Sequence, residues 1–409
     1  MKGVGPLGYS GYRWLLAART TSLLGNAIAP VALAFAVLDL TGSVTDLGIV
    51  VASRSLANVL FLLFGGIVAD RLPRQLVLVG SSVAAAVTQA AVAGLVLSGE
   101  ATVPTLAVLS AANGAVAAMA LPAAAALTPQ TVPPALLQPA NALLRLGTNA
   151  STIVGATAGG ALVATAGPGY GLVIDATAFA FAAALFAKVK PLQGATGSQT
   201  TGAAGGLVAD LREGWTEFTS RRWTWVVVAQ FAVVNAAFVG TTAVLGPAVV
   251  DGTVGRAAYG IVLAAQTAGL VVGGLIALRW HPERPLRLGV ILTLLSALPA
   301  LALAHTATLL PLLVAAFLAG FAIEQFGVAW DISLQQHIPA DRLARVYSYD
   351  AVGSFIAIPI GEAAVGPLAA SVGLRPALSA CAAIICLATV TALASRSVRE
   401  LRRKPVSLA

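Results

Sequence analysis

The chain has 409 residues, of which 58% are hydrophobic and 10% charged, with a mean hydropathy of +0.89. A soluble domain is ~25% charged, so these numbers exclude a disordered chain, a disulfide-stapled secreted scaffold and an ordinary soluble enzyme. They point to a polytopic membrane protein. The net charge of +8 comes from 24 Lys and Arg against 16 Asp and Glu. The bases are scattered through short loops, which is an orientation signal and not the clustered footprint of a nucleic-acid binder. Cys381 and Cys386 share one apolar run and make no metal-ligand spacing, so neither a metal nor a cofactor is expected.

Each helical span needs ~20 apolar residues. Apolar runs bounded by charges or by Gly and Pro fall at about 14–37, 44–69, 75–98, 102–127, 137–164 and 169–187. A second set falls at about 223–247, 257–278, 286–304, 308–330, 346–369 and 373–394. The first run is too long for a signal-peptide core and counts as a span. Twelve spans put both termini on one side. With the termini in the cytoplasm, 19 of the 24 bases fall inside, only Arg256 and Arg375 fall outside, and Arg19, Arg54 and Arg145 lie within spans. The positive-inside rule therefore places both termini in the cytoplasm. The composition suggests a bacterial inner membrane.

The expected organisation is a six-helix bundle over 1–188, a cytoplasmic linker over 189–222, a second bundle over 223–395 and a tail over 396–409. Pro191 to Gly206 reads as flexible. Leu207, Leu211, Trp215 and Phe218 then recur at helical spacing, with Asp210, Arg212, Glu213 and Glu217 on other faces. That pattern predicts an amphipathic helix on the membrane surface. The halves echo one another. Gly147, Gly155, Gly160 and Gly167 match Gly353, Gly361, Gly366 and Gly373 at an offset of 206 residues. The fold expected is thus all-α, with twelve transmembrane helices in two pseudo-symmetric six-helix bundles. That is the parallel-repeat plan of a secondary transporter.

The connection after the second span reads Gly65-Gly66-Ile-Val-Ala69-Asp70-Arg71-Leu72-Pro73-Arg74. It resembles motif A of the major facilitator superfamily, G-x-x-x-D-R-x-G-R-[RK], with Pro73 for the usual Gly and Gln75 for the usual base. The resemblance implies a cytoplasmic latch built from Gly66, Asp70, Arg71 and Arg74. A small residue there admits a close helix, and a carboxylate can pair with bases or a helix N-terminus. In span 5, Gly147 and then Gly155-Ala-Thr-Ala-Gly159-Gly160 resemble the glycine-rich motif C of proton-coupled antiporters, with Ala156 for the usual Pro. These glycines imply close helix packing. The stretches 19–43, 173–181 and 318–368 resemble bacterial drug-efflux and siderophore-exporter-type members of the superfamily. Two departures bear on coupling. Asn26 stands where such members often carry Asp after the first-span glycine, and Asn113-Gly114 stands where the arginine of motif B is expected.

A charge within the hydrocarbon costs ~2.5–3.5 kcal/mol on insertion scales. The carboxylates within spans are therefore proton-coupling candidates: Glu324 deep in span 10, then Asp175, Asp350 and Glu362, the last near an outer end where water reaches it. Arg19, Arg54 and Arg145 either pair with these acids or bind an anionic substrate group. Asn26, Asn113, Asn149, Asn235, Gln266 and Trp330 are candidates to line a cavity. No Walker sequence, metal cluster or nucleophile–base pattern is present, so no catalytic residue is expected. The expected activity is proton-coupled export of a drug, antibiotic or secreted metabolite by a monomer. Its expected partners are a small-molecule substrate, protons and the bilayer, with no nucleic acid. The alternatives are nutrient uptake, or a transporter-like sensor or scaffold. The orientation is directly testable: reporters fused after Ala409 or within 194–206 are expected to report cytoplasm, and a periplasmic signal from either contradicts the twelve-span reading.

Overall fold

A computed structural model describes residues 5–190, 192, 215–280 and 282–403, without the side chains of 63–71, 340–341 and 344–345. The described residues form helices and no strand. Six long helices come first: α1 (Ser10–Thr41), α2 (Val44–Arg71), α3 (Arg74–Ser98), α4 (Val103–Leu127), α5 (Leu137–Ala166) and α6 (Pro168–Ala187). Eleven helical stretches among the described residues are long and apolar enough to cross a membrane. α5, at 30 residues, supplies the twelfth crossing; its polar side chains, among them Gln138, Asn141 and Arg145, dilute its apolar character.

After α6, α7 is described over residues 215–220, followed by α8 (Arg222–Val239), a π-helical stretch (Gly240–Leu245) and α9 (Gly246–Asp251). Then come α10 (Arg256–Ala277), α11 (Pro285–Leu292), a 3₁₀ stretch (Thr293–Ala297), α12 (Leu298–His305) and α13 (Leu309–His337). The chain ends in α14 (Ala340–Phe355), α15 (Ile358–Val372), α16 (Leu374–Ala394) and the single turn α17 (Arg396–Arg399). Three crossings that read as unbroken apolar runs are thus interrupted, and each interruption lies just before a proline: Pro247, Pro299 and Pro359. Proline has no N–H to donate, and its ring crowds the carbonyl four residues back, so the preceding turn widens, tightens or opens.

The chain divides into two compact units, Met1–Thr201 with Gly255–Ala264 and Gly202–Val254 with Ala265–Ala409. In the first, α2 packs on α4, α6 on α1 and α3, and α5 on α1. The opening turns of α10 belong to this unit. Arg256 makes a two-pronged ion pair with Asp39 at the end of α1 (2.5 and 2.8 Å), and Tyr259 meets Phe35 edge to face. In the second unit, α8 packs on α14, α15 and α16, and α13 on α11 and α12. Its core includes Trp223, Val227, Leu286, Phe326, Trp330 and Leu334.

The internal repeat is visible in the backbone. Gly167 and Gly373, equivalent at the 206-residue offset, have φ of +93° each and ψ of 164° and 159°, and each starts the following helix. A side chain at either position would be strained, so only glycine fits this turn freely. Gly155 and Gly361 occupy matching places too. A Cβ on the first would strike the Leu24 carbonyl of α1, and on the second the Ala236 carbonyl of α8.

The linker segment 193–214, including Leu207, Asp210, Leu211, Arg212 and Glu213, lies outside the described residues. Of the amphipathic pattern, Trp215 is 54% exposed, whereas Phe218 is buried and packs against Tyr349 of α14. Glu217 was expected on a polar face. It is buried instead and accepts from both Arg342 Nη1 and Arg221 Nη2 at 2.8 Å. Hydrogen bonds from Arg342 first, and from Arg221 second, hold its carboxyl below the ordinary value of 4.5. Because the folded-state value is the lower one, the pairing is complete at neutral pH and fades as the pH falls from the ordinary value through the lowered one. At neutral pH, Glu217→Gln is therefore expected to speed amide exchange over 215–221. Exposed or half-exposed pairs contribute roughly 0–1 kcal/mol, so the increase should be about fivefold or less. Intrinsically corrected exchange of the wild type should approach that of the variant in acid. Equal exchange at neutral pH would contradict the pairing.

Candidate functional site in the first unit

The polar side chains of the first unit converge. Arg54 of α2 donates from Nη2 to Asn26 Oδ1 of α1 at 3.0 Å and from Nε to Asn113 Oδ1 of α4 at 3.3 Å. Asn113 Nδ2 donates to Thr88 Oγ1 of α3 at 3.3 Å. Beside Thr88, Gln89 Nε2 donates to Asp175 Oδ2 of α6 at 2.5 Å. Asp175 is fully buried, its Oδ1 has no hydrogen-bond partner among the described residues, and the positive charge of Arg54 acts on it. Five helices thus bring an arginine, an aspartate and four neutral polar groups into one cluster. A guanidinium with five donors cannot sit in an apolar bundle without acceptors; here two amide oxygens supply them.

Close backbone packing sets the cluster's geometry. At Gly114 a Cβ would strike the backbone carbonyl of Arg54, so α2 and α4 touch where Arg54 and Asn113 leave their helices. Asn58 Nδ2 adds a bond to the Gly114 carbonyl at 3.2 Å. At Gly25 a Cβ would lie 2.7 Å from Asp175 Oδ1, so the absent side chain is what admits the carboxylate against α1. A cavity of about 160 Å³ opens beside the cluster, between α1, α2, α3, α4 and α6. Arg19, Asn26, Arg54 and Asn113 are among its lining residues.

The other residues singled out in the sequence lie elsewhere. Arg145 is exposed and Asn149 half-buried on α5. In the second unit, Asn235 Nδ2 donates to the Ser354 carbonyl at 2.9 Å, tying α8 to α14. The backbone carbonyl of Gln266 abuts Gly320 where α10 meets α13. Trp330 is a core residue, and its Nε1 donates to Asp350 Oδ2 at 2.9 Å while Ser354 Oγ donates to Asp350 Oδ1 at 3.0 Å. Glu324 is half-buried with its side chain against Gly273 and Gly274 of α10. Glu362 departs from expectation: it is 2% exposed, because α15 packs on α8 and its π-helical stretch. Gly147, Gly155 and Gly159 face Thr20, Leu24 and Ile28 of α1, and Gly160 faces Gly260 of α10. Thr88 and Gln89 were missed in the sequence. Their signal is a polar pair in the middle of an apolar run, with Gln89 on the helical face of Leu78, Ser82 and Ala85. Among the described residues no group of three or more His, Cys, Asp or Glu could hold a metal ion.

Residues 15–362 match the family described as Major Facilitator Superfamily. The chain belongs to that superfamily. It is 28% identical over 406 residues to the multidrug efflux pump Tap of Mycolicibacterium fortuitum, covering 95% of this chain and 96% of that protein. Among solved structures, it resembles a bacterial homolog of the human lysosomal transporter Spinster in an inward-facing, unoccupied conformation. The TM-score is 0.75 and the identity 16%, over 97% of this chain and 98% of that one. The nucleoside transporter NupG gives a TM-score of 0.76 at 13% identity over 94% and 98%. A D-xylose–proton symporter gives 0.69 at 14% over 94% and 97%. At these identities the structures share the fold. The protein is therefore a multi-pass membrane transporter of a small molecule and not an enzyme.

Of the superfamily's motif A, the side chains of Asp70 and Arg71 and the contacts of Gly66 lie outside what the structure describes. Arg74 Nη1 donates to the Ala126 carbonyl in the last turn of α4 at 3.1 Å. Gln75, at the position of the usual base, donates from Nε2 to the Phe186 and Ala187 carbonyls ending α6, at 3.0 and 2.9 Å. Both side chains thus bind backbone carbonyls in the last turns of α4 and α6.

The tight α2–α4 contact makes a stability prediction. A Cβ at Gly114 meets backbone, which cannot rotate away, so Gly114→Ala is expected to cost roughly 1–3 kcal/mol, the usual range for overpacking. The measurement is thermal unfolding of the purified protein in detergent, where the midpoint should fall. An unchanged midpoint would contradict the packing described.

Proposed function

We propose that this transporter exports a drug-like compound or secreted metabolite in exchange for protons, with Asp175 as the carboxylate that binds and releases the proton. The observation that carries the reading is Asp175 itself: a fully buried membrane carboxylate with one oxygen held by Gln89, the other without a partner among the described residues, and a guanidinium acting on it. Buried ionisable groups in a bundle are costly and mark proton or substrate paths. Asn26 cannot titrate, and its amide oxygen serves Arg54. The titratable partner of this arginine then comes from α6 in place of α1. When Asp175 is ionised it balances Arg54. When it is protonated the arginine retains its amide acceptors, so the cluster has two viable charge states. The likeness to a multidrug efflux pump supports the outward direction.

In this reading the protein works as a monomer in a bacterial inner membrane with both termini in the cytoplasm. The domains are the bundles over 1–188 and 223–395, joined by the linker over 189–222 and followed by the tail over 396–409. The latch of Gly66, Asp70, Arg71 and Arg74 biases one conformational state. Glu324, Asp350 and Glu362 serve the second unit's packing before any proton transfer. Asp350 already has a hydrogen bond to each oxygen, and Glu362 is buried against its neighbours.

The test is Asp175→Asn in proteoliposomes with an imposed pH gradient and a fluorescent efflux dye. The variant should lose gradient-driven transport by tenfold or more while retaining downhill exchange. Undiminished gradient-driven transport removes Asp175 from the coupling mechanism and leaves Glu324 as the next carboxylate to test. Uptake and export are separated by the direction of pumping in everted vesicles.

A further inference from the structure

The cavity beside the Arg54 cluster has a chemistry of its own. Among the described residues its lining includes two arginines and no Asp or Glu. Arg54 is occupied by Asn26 and Asn113. Arg19, two turns before Asn26 on α1, has no hydrogen bond or ion pair among the described residues. Around it the cavity presents the hydroxyls of Ser22, Ser81 and Ser82, likewise without partners among the described residues; Ser81 is 8% and Ser82 6% exposed. The lining also includes apolar side chains, among them Leu23, Val116, Phe179 and Phe186.

A guanidinium and three hydroxyls with donors to spare, with no carboxylate among the described lining residues, form a site suited to an anion. Arg recognises carboxylate and phosphate through its fork of N–H groups, and such charge-assisted bonds are about twice as strong as neutral ones. A volume of about 160 Å³ is below the ~300 Å³ at which drug-sized pockets begin. It therefore suits one headgroup and a short part of its apolar body. We infer that this cavity is an oxyanion subsite: Arg19, with Ser81 and Ser82, takes the carboxylate or phosphate group of an amphipathic organic substrate whose apolar part lies on Phe179 and Phe186. This names the substrate class for the export proposed above and rests on that reading.

The test uses the full chain in nanodiscs and three probes with the same tail: hexanoate, hexyl phosphate and hexyltrimethylammonium. Isothermal titration is expected to show that the wild type binds at least one of the two anions. Arg19→Gln should weaken that binding about tenfold or more, Arg19→Lys should recover part of it, and Ser82→Ala should weaken it less than Arg19→Gln. Any binding of the cation should be unchanged in all three variants, which also shows that they are folded. Failure of the wild type to bind either anion, or equal anion binding by wild type and Arg19→Gln, overturns the assignment. A lipid headgroup is the other source of the same chemistry. Discs of phosphatidylcholine and discs with added phosphatidylglycerol separate the two. Anion binding that is independent of phosphatidylglycerol supports a substrate site, and binding that the lipid displaces only when Arg19 is present assigns the site to lipid and overturns it. Everted-vesicle export of hexanoate, hexyl phosphate and a cationic dye is followed in parallel. If it persists while anion binding ignores Arg19, the subsite fails and export stands. If no probe is exported while anion binding depends on Arg19, export fails and the anion site stands.

Discussion

The first unit is organised around the need to hold the Arg54 guanidinium inside an apolar bundle. A charge in that setting is tolerated only with acceptors in reach. The chain supplies them from α1 and α4, as the amide oxygens of Asn26 and Asn113. Much else in the unit follows from that requirement. Gly114 lets α4 come close enough to α2 to present Asn113, and Gly25 leaves room on α1 for Asp175. Thr88 and Gln89 extend the polar contacts through α3 to the carboxylate. The acceptors are neutral amides, so they leave the positive charge of Arg54 uncancelled in the bundle that buries Asp175.

The two units reach the same helical plan with different local means. The repeated glycine turns at Gly167 and Gly373 share one backbone conformation, and Gly155 and Gly361 make equivalent close approaches. Yet the first unit keeps Pro30 and Pro122 inside unbroken helices, whereas the second opens three crossings before Pro247, Pro299 and Pro359 and keeps Pro367 inside α15. In the second unit's core Trp223 meets Trp330 edge to face, Phe326 stacks on Trp330, and Trp330 engages Asp350. Asp350 is half-buried against that core and Glu362 is buried on α15, while Asp175 belongs to the polar cluster beside the cavity.

The helical plan was legible because apolar runs of membrane length have one backbone solution in lipid. The ends of α2, α3, α4 and α6 fall within a few residues of the runs read from hydropathy. The breaks in the second half were not read, although each proline was visible, because composition does not say whether a turn widens or a helix merely bends. The individual members of the cluster stood out as polar residues in spans: Arg54, Asn26, Asn113 and Asp175. Their grouping did not, since it depends on which helices touch and on glycines that look alike in a chain with 41 of them. Glu324 drew attention as a lone carboxylate deep in its run, but depth in a run does not report burial. The folded chain leaves it half-buried and buries Asp175 and Glu362. Glu217 shows the same limit outside the membrane: helical spacing put it on a polar face, and tertiary pairing with Arg342 buried it.

The central claim is that the proton-exchanging carboxylate is in the first unit, next to Arg54. Infrared difference spectroscopy of the protein in lipid, comparing acid with neutral buffer, reads the carbonyl stretch of protonated buried carboxyls directly. The account predicts a substrate-sensitive band that disappears in Asp175→Asn and persists in Glu324→Gln. A band that survives in Asp175→Asn and vanishes in Glu324→Gln would contradict it.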